Sequence, residues 1–329
     1  MVSTPGVTPS SSSSQAHQAA PLTAVLSGPT ATGKTEIALE FIRRRKARGQ
    51  AIEIINADSM LVYRSMDIGT AKPSTDEMRE IPHHLINICE PSEVFTAGDF
   101  SKKVIETLER LQAEGKRALI VGGSGFYLKA LLYGLWEGAP ADPATRTELE
   151  KISSPELYEK LYARDSQAAL RIGVNDRYRL VRAHELMTVT GKTPSELQAE
   201  QNQIPNPALR LLVVDRPNEE LYERIERRTS RMLEVGLLDE VRSVRSRFPR
   251  SRALGAVGYA QVCDYLDGIA PAGRKISSDE KGLREEITLA TRQLVKKQRT
   301  WFRGEKYSEH FELPLAQEKL LARLEELYL

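Results

Sequence analysis

Four groups of residues in this sequence have the types and spacing to do chemistry. Gly28-Pro29-Thr30-Ala31-Thr32-Gly33-Lys34-Thr35 satisfies G-x-x-x-x-G-K-[ST], with a β-rich run before it and a helical run after it. In that setting backbone N–H groups converge on an anion, Lys34 neutralises the terminal phosphate and the Thr35 hydroxyl can ligate Mg²⁺. A chance match in a glycine-containing turn is the competing explanation, and the strand–loop–helix setting disfavours it. The second group is Asp58, which follows an apolar run and Asn56-Ala57. It fits two roles: a carboxylate on the ligand side of a sheet, or a cap on the next turn. Asp215, before Pro217, is equally open between a strand-end carboxylate for Mg²⁺ and a plain helix cap. The third group is Lys296, Lys297, Arg299 and Arg303 with Trp301 and Phe302, free of acids. Such a stretch can meet phosphates and stack on bases, or it is a solvated helix face with Trp301 in the core. Arg177, Arg179 and Arg182 form a similar cluster with the same two explanations. The fourth group is the arginine-rich stretch 224–252, beside Glu219, Glu220, Glu223, Glu226 and Glu234. Spacings of three and four there point to helix salt bridges first and RNA second.

The elements that must hold these groups alternate. Strands are predicted at 24–27, 52–55, 85–88, 118–121 and 211–214, and helices at 34–48 and 97–113. That order predicts an α/β fold with a mainly parallel sheet and helices on both faces. Residues 137–207 read as helical throughout, which predicts an all-helical insertion between a first core part, 23–136, and a second, 208–329. Residues 1–22 carry no Asp, Glu, Lys or Arg and have a serine run, so a disordered tail is expected, with no secretory or transit signal. The long apolar run 119–136 is broken at Gly122-Gly123-Ser124-Gly125 and contains Lys129. A strand, a turn and a buried helix are expected there rather than a membrane span.

Composition narrows the classes further. The 329 residues are 40% hydrophobic and 28% charged, enough for a packed core and against global disorder. With 47 basic and 45 acidic residues the net charge is +2, which excludes a polybasic protein but not a local basic face. Cys89 and Cys263 form no zinc or disulfide framework, and His83-His84 lacks a partner at ligand spacing. A monomer in the cytoplasm is expected.

Beyond these single groups, longer stretches resemble one family. They are Asn56-Ala57-Asp58-Ser59-Met60-Leu61, Asp67-Ile68-Gly69-Thr70-Ala71-Lys72-Pro73, Pro82-His83-His84-Leu85 and Val121-Gly122-Gly123-Ser124. The match continues through Ala141-Asp142-Pro143 with Arg146, then Arg179-Leu180-Val181-Arg182-Ala183, Val257-Gly258-Tyr259 and Lys297-Gln298-Arg299-Thr300-Trp301-Phe302-Arg303. Together with the phosphate loop they resemble the tRNA dimethylallyltransferase (tRNA isopentenyltransferase) family, over nearly everything after residue 22. Relatives that prenylate free adenine nucleotides lack the 67–73 run. The resemblance implies that the loop holds the diphosphate of dimethylallyl diphosphate, with Mg²⁺ on Thr35 and no nucleotide cleaved. The prenyl group then passes to N6 of the adenosine next to the anticodon in the tRNA anticodon stem-loop. It implies Asp58 as general base and Ser124, where the family usually has threonine, as the hydroxyl that polarises the leaving oxygen. Contacts to tRNA are implied for Asp58, Ser59, Met60, Leu61, Ser124, Arg146, Tyr178, Arg179, Leu180, Val181, Arg182, Lys296, Lys297, Gln298, Arg299, Trp301 and Arg303. Ala260 stands where many members have a basic residue, and no zinc finger follows, which implies a bacterial type. Outside the resemblance, the rival class is a P-loop kinase, which would turn over ATP.

Overall fold

A computed structural model describes residues 22–134, 143–200, 204–270, 277 and 279–329. The expected tail, Leu22 apart, lies outside the described residues, as do Trp136 and the Ala141-Asp142 part of the family resemblance.

The core alternates β1 (Thr23–Ser27), α1 (Lys34–Lys46), β2 (Ile52–Asn56), α2 (Thr75–Glu80), β3 (His83–His84), α3 (Ala97–Ala113), β4 (Arg117–Val121) and α4 (Gly125–Tyr133). The insertion follows as α5 (Pro143–Leu149), α6 (Ser154–Arg164), α7 (Ser166–Ile172), α8 (Arg177–Thr190) and α9 (Pro194–Glu200). The chain returns with β5 (Leu209–Asp215), α10 (Asn218–Glu234), α11 (Leu237–Arg247), a 3-10 turn (Arg252–Gly255), α12 (Tyr259–Leu266) and α13 (Glu280–Gly304). It closes with β6 (Ser308–Glu312) and α14 (Gln317–Leu327). The six strands form one sheet in the order β3-β2-β4-β1-β5-β6, with every pair parallel.

β1 and β2 are buried along their whole length, as a parallel sheet covered on both faces requires. On one face, Ile37, Phe41 and Ile42 of α1 meet Leu320, Leu321 and Leu324 of α14. On the other, Phe100 and Val104 of α3 and Leu128 and Leu131 of α4 cover Val25, Ile55 and Ile120. Each leucine buried this completely is worth about 1.5–3 kcal/mol over leaving it in water. The insertion has a small core of its own around Leu157, Leu161, Leu180 and Met187. A further cluster joins α10–α13 to Met66 of the loop after β2.

Two elements differ from the expectation. The third strand is the histidine pair itself, because Leu85 and Asn87 take positive φ (60° and 56°) and turn the chain away. His84 Nε2 bonds Glu53 at 2.6 Å, and Lys116 holds the same carboxylate at 2.9 Å. No cluster of His, Cys, Asp and Glu suited to a metal occurs among the described residues. β6 was not anticipated, since Ser308-Glu309-His310-Phe311-Glu312 exposes a polar face at the sheet edge and buries only Phe311. The apolar run after Leu119 is β4, a turn and α4, and no helix among the described residues is long and apolar enough to cross a membrane.

Candidate active site

Parallel strands deliver their carboxyl ends to one edge, and there the loops after β1, β2 and β4 enclose a cavity of 590 Å³. Its wall includes Thr30, Ala31, Gly33, Lys34 and Thr35 of the phosphate loop, Asp58 and Leu61 after β2, and Gly122 and Gly123 after β4. Lys34 Nζ donates to Gly28 O (2.9 Å) and Pro29 O (2.6 Å). Burial pulls its ammonium down to about 8; Asp58 and, more weakly, Asp215 oppose that, and Arg228 adds to it. The Thr35 side chain is exposed on the wall, and its hydroxyl makes no hydrogen bond among the described residues.

Asp58 serves both roles its position allowed. Its Oδ1 accepts from Met60 N at 2.8 Å, closing the turn, while the residue remains on the cavity wall. Its backbone is fixed by Asn56, whose Oδ1 accepts from Asp58 N (2.9 Å) and whose Nδ2 donates to Asp58 O (2.9 Å). Oδ2 carries no hydrogen bond among the described residues. Ser124 begins α4, but its hydroxyl accepts from Ser59 N (2.9 Å) and donates to Ser59 Oγ (3.1 Å). It thus ties the loops after β2 and β4 together, and it is not among the residues on the cavity wall.

Several residues of this site escaped the sequence analysis. Arg224 and Arg228 of α10 leave the intrahelical pairing expected of them and turn to the phosphate loop. Arg224 Nε donates to Ala31 O (2.8 Å), and Arg228 donates to Thr30 Oγ1 (3.1 Å). Arg216 Nε donates to Thr32 O (2.8 Å) from a buried position. Burial lowers the Arg228 pKa against the pull of Asp58, so this guanidinium is poorly solvated and suited to an anion. Across the cavity, Lys72 is consumed by structure: its ammonium bonds Tyr63 O (2.7 Å), Asp67 Oδ1 (2.6 Å) and Asn87 Oδ1 (2.6 Å). The loop it anchors is gripped from α11 by Glu240, which accepts from the N–H groups of Asp67, Ile68 and Gly69 at 2.8, 2.7 and 3.0 Å and from the Tyr259 hydroxyl. A carboxylate 171 residues away from Gly69 leaves no local signal in the sequence. Arg242 does pair with Asp239 three residues away, as the spacing suggested, whereas Arg245 reaches Asp267 across 22 residues, a pairing outside its own helix.

Comparison with known proteins brings a family into view. The IPP transferase family model matches residues 61–305. The chain belongs to that family. A "tRNA dimethylallyltransferase" of Alkalilimnicola ehrlichii is 43% identical over 289 residues, covering 85% of this chain and 87% of the relative. One of Geobacter sulfurreducens is 40% identical over 299 residues, covering 88% and 91%. Among solved structures, the tRNA isopentenylpyrophosphate transferase of Bacillus halodurans superposes with a TM-score of 0.65 at 30% identity, covering 93% of this chain and 96% of that one. A eukaryotic dimethylallyltransferase acting on tRNA shares the fold, with a TM-score of 0.75 at 23% identity over 93% of this chain and 77% of its own.

With the family established, the residues it suggested for tRNA separate into three groups. Lys296, Lys297 and Arg303 are exposed on α13 and have no ion-pair partner among the described residues. Tyr178 is 56% exposed, with the Arg146 and Arg252 guanidinium groups 5.3 and 5.8 Å from its ring centroid. Ser59, Met60 and Leu61 follow Asp58, Leu61 lining the large cavity and Met60 a smaller one of 110 Å³ beside it. The second group is held by acids: Arg179 pairs with Asp176 and Arg182 with the buried Glu185. The third is corrected by the structure. Leu180 and Val181 are 0% and 3% exposed in the insertion core, so their side chains cannot face RNA. Arg299 closes a two-pronged ion pair on Asp215 and also bonds Arg216 O, which removes it as a free phosphate ligand and Asp215 as a free metal ligand. Trp301 lies on Gly125, where a Cβ would stand 2.7 Å from the indole, so it is packed as the core explanation of this stretch required. Gln298 is bonded to Thr30 and Gly123 of the core.

Proposed function

We propose that this chain transfers the dimethylallyl group of dimethylallyl diphosphate to N6 of the adenosine on the 3′ side of the anticodon in tRNA, releasing diphosphate. One observation carries the assignment: Lys34 and Thr35 of the phosphate loop share a single cavity with Asp58. The diphosphate lies on the loop, where N–H groups, Lys34 and Arg228 stabilise the charge that builds as the C1–O bond breaks. N6 of the adenine forms the new bond to C1, and its proton passes to Asp58, held in place by Met60 N and Asn56. A base in an anticodon loop is cheap to unstack, and extrusion is what brings it to a site on the sheet edge. Lys296, Lys297 and Arg303 supply phosphate contacts.

The donor set at the loop fits Mg²⁺, which takes one or two protein oxygens together with substrate phosphate oxygens. The Thr35 hydroxyl would hold it, and when bound it would neutralise charge on the leaving diphosphate. With Asp215 occupied by Arg299, the chain offers no free strand-end carboxylate at that position for nucleotide hydrolysis. The test is incubation of the protein with unmodified tRNA, dimethylallyl diphosphate and Mg²⁺, with the tRNA weighed by mass spectrometry. A gain of C₅H₈ without ATP is expected, falling by about 10²–10⁴ in Asp58→Asn. Strict dependence on ATP, or full activity of that variant, would refute the assignment.

A further inference from the structure

We infer that Gln298 is a positioning residue of the diphosphate site rather than a tRNA contact, an inference that rests on the diphosphate lying at the phosphate loop. α13 presents two different faces near its end. Lys296 and Lys297 lie in solvent, while Gln298 is half-buried, with both ends of its amide spent on the core. Its Oε1 accepts from Thr30 N at 2.9 Å, and its Nε2 donates to Gly123 O at 2.9 Å. A backbone N–H can only donate and a carbonyl only accept, so these partners fix which way the amide points. The approach needs glycine: a Cβ on Gly123 would stand 2.9 Å from Gln298 Nε2 and 2.8 Å from Gly28 O.

Lys34 shows why this bridge matters. In the free protein its ammonium cross-links the loop through Gly28 O and Pro29 O. A bound diphosphate draws that ammonium away from both carbonyls, and the only side-chain tie left inside the loop among the described residues is Thr32 Oγ1 donating to Pro29 O (2.9 Å), which leaves Thr30 N untouched. Arg216 and Arg224 hold the loop only by its carbonyl groups, Thr32 O and Ala31 O. Gln298 holds a loop N–H, and it does so while gripping the loop after β4 that leads to Ser124. It therefore keeps the first turn of the phosphate loop open, and spaced from the Gly123 loop, at the moment Lys34 leaves. Sited between Lys297 and the loop, it also carries the tRNA-facing helix directly onto the diphosphate site.

The test compares Gln298→Met, close in volume but without the hydrogen bonds, Gln298→Glu, which sets a negative oxygen against Gly123 O, and Lys297→Ala. For each, binding of Mg²⁺ with inorganic diphosphate is measured calorimetrically without tRNA, tRNA affinity by filter binding, and kcat and KM for both substrates. Loss of two ordinary hydrogen bonds predicts diphosphate affinity weaker by about tenfold in Gln298→Met. Gln298→Glu should be weaker still, with KM for dimethylallyl diphosphate raised and tRNA affinity within about twofold of the parent in both. Lys297→Ala should show the reverse, weaker tRNA binding and unchanged diphosphate binding. Unchanged diphosphate affinity in folded Gln298→Met, or a loss confined to tRNA affinity, would overturn the inference. Failure of the parent protein to bind diphosphate would instead remove the diphosphate assignment of the loop, and the inference with it.

Discussion

Replacing Glu240 with alanine removes a single carboxylate and strands four donors. The N–H groups of Asp67, Ile68 and Gly69 and the hydroxyl of Tyr259 all converge on its two oxygens. Asp67 is exposed, so water takes over its N–H at little cost. Ile68 and Gly69 are half-buried and Tyr259 is 0% exposed, so these three donors are at best partly rehydrated. At about 1 kcal/mol per partly rehydrated donor and about 1–2 for the buried hydroxyl, Glu240→Ala should lose about 3–4 kcal/mol. Glu240→Gln keeps one accepting oxygen but turns an NH₂ toward the others, and should lose about half as much. Urea unfolding followed by far-ultraviolet circular dichroism reads both numbers. Thr70, Ala71 and Lys72 of the same loop line the cavity, so KM for dimethylallyl diphosphate should rise in the same order. A Glu240→Ala protein within about 0.5 kcal/mol of the parent would show that the loop keeps its shape without the carboxylate, the ordinary range for a surface change.

Lys34 sets a pH dependence. Its free-protein value of about 8 rises when an anionic diphosphate settles beside it, so binding takes up a proton above that pH. Dimethylallyl diphosphate affinity should therefore fall as pH climbs past about 8, by up to about tenfold per unit. Calorimetry at pH above 8 in buffers of different ionisation enthalpy should show the uptake, and Lys34→Met should abolish it; absence of uptake in the parent refutes the assigned role. Lys297→Ala should flatten the log–log salt dependence of tRNA binding by about 0.7–0.9. Arg299→Ala, which breaks the Asp215 pair, should leave that slope alone and lower stability. Equal slopes for the two variants would contradict the division of α13 into a solvent face and a core face.

The phosphate loop, four of the strands and the starts of α1 and α3 are legible because their signals are local. Thr96 and Asp99 form a reciprocal cap, and α3 begins where that pair predicts. The expected end of α1 overshoots by two residues because its last turn tightens to i→i−3 bonds, Arg48 N to Arg45 O and Gly49 N to Lys46 O, before Gly49. What escapes is long-range. No pattern around Arg299 reveals Asp215, 84 residues earlier, and the free cations Lys296 and Lys297 look the same in sequence as their paired neighbour. Arg224 was misassigned to a helix pair because Glu220 stands four residues before it, and Arg228 because it lies in the same glutamate-interleaved stretch, whereas the loop carbonyl and Thr30 hydroxyl they actually meet are invisible at that level. β6 lacks the β-branched run that marks buried strands, being an edge whose outward face is polar.

The closing role of β6 and α14 has a consequence for how the molecule is made. The Tyr328 hydroxyl donates to Ala118 O, 210 residues back, and Arg45 reaches the Tyr328 carbonyl across 283 residues. On the ribosome, β1, β2, β4 and α1 are thus complete long before the segment that covers their apolar face has been translated. Throughout that interval Phe41, Ile42 and their neighbours lack their final cover, and the edge of β5 lacks its strand partner. A nascent chain paused there presents a sticky half-sheet, the kind of surface that recruits holding chaperones and seeds aggregation. Nucleotide changes that slow elongation between the codons for β5 and β6 should therefore lower the yield of soluble enzyme without altering a single residue of it.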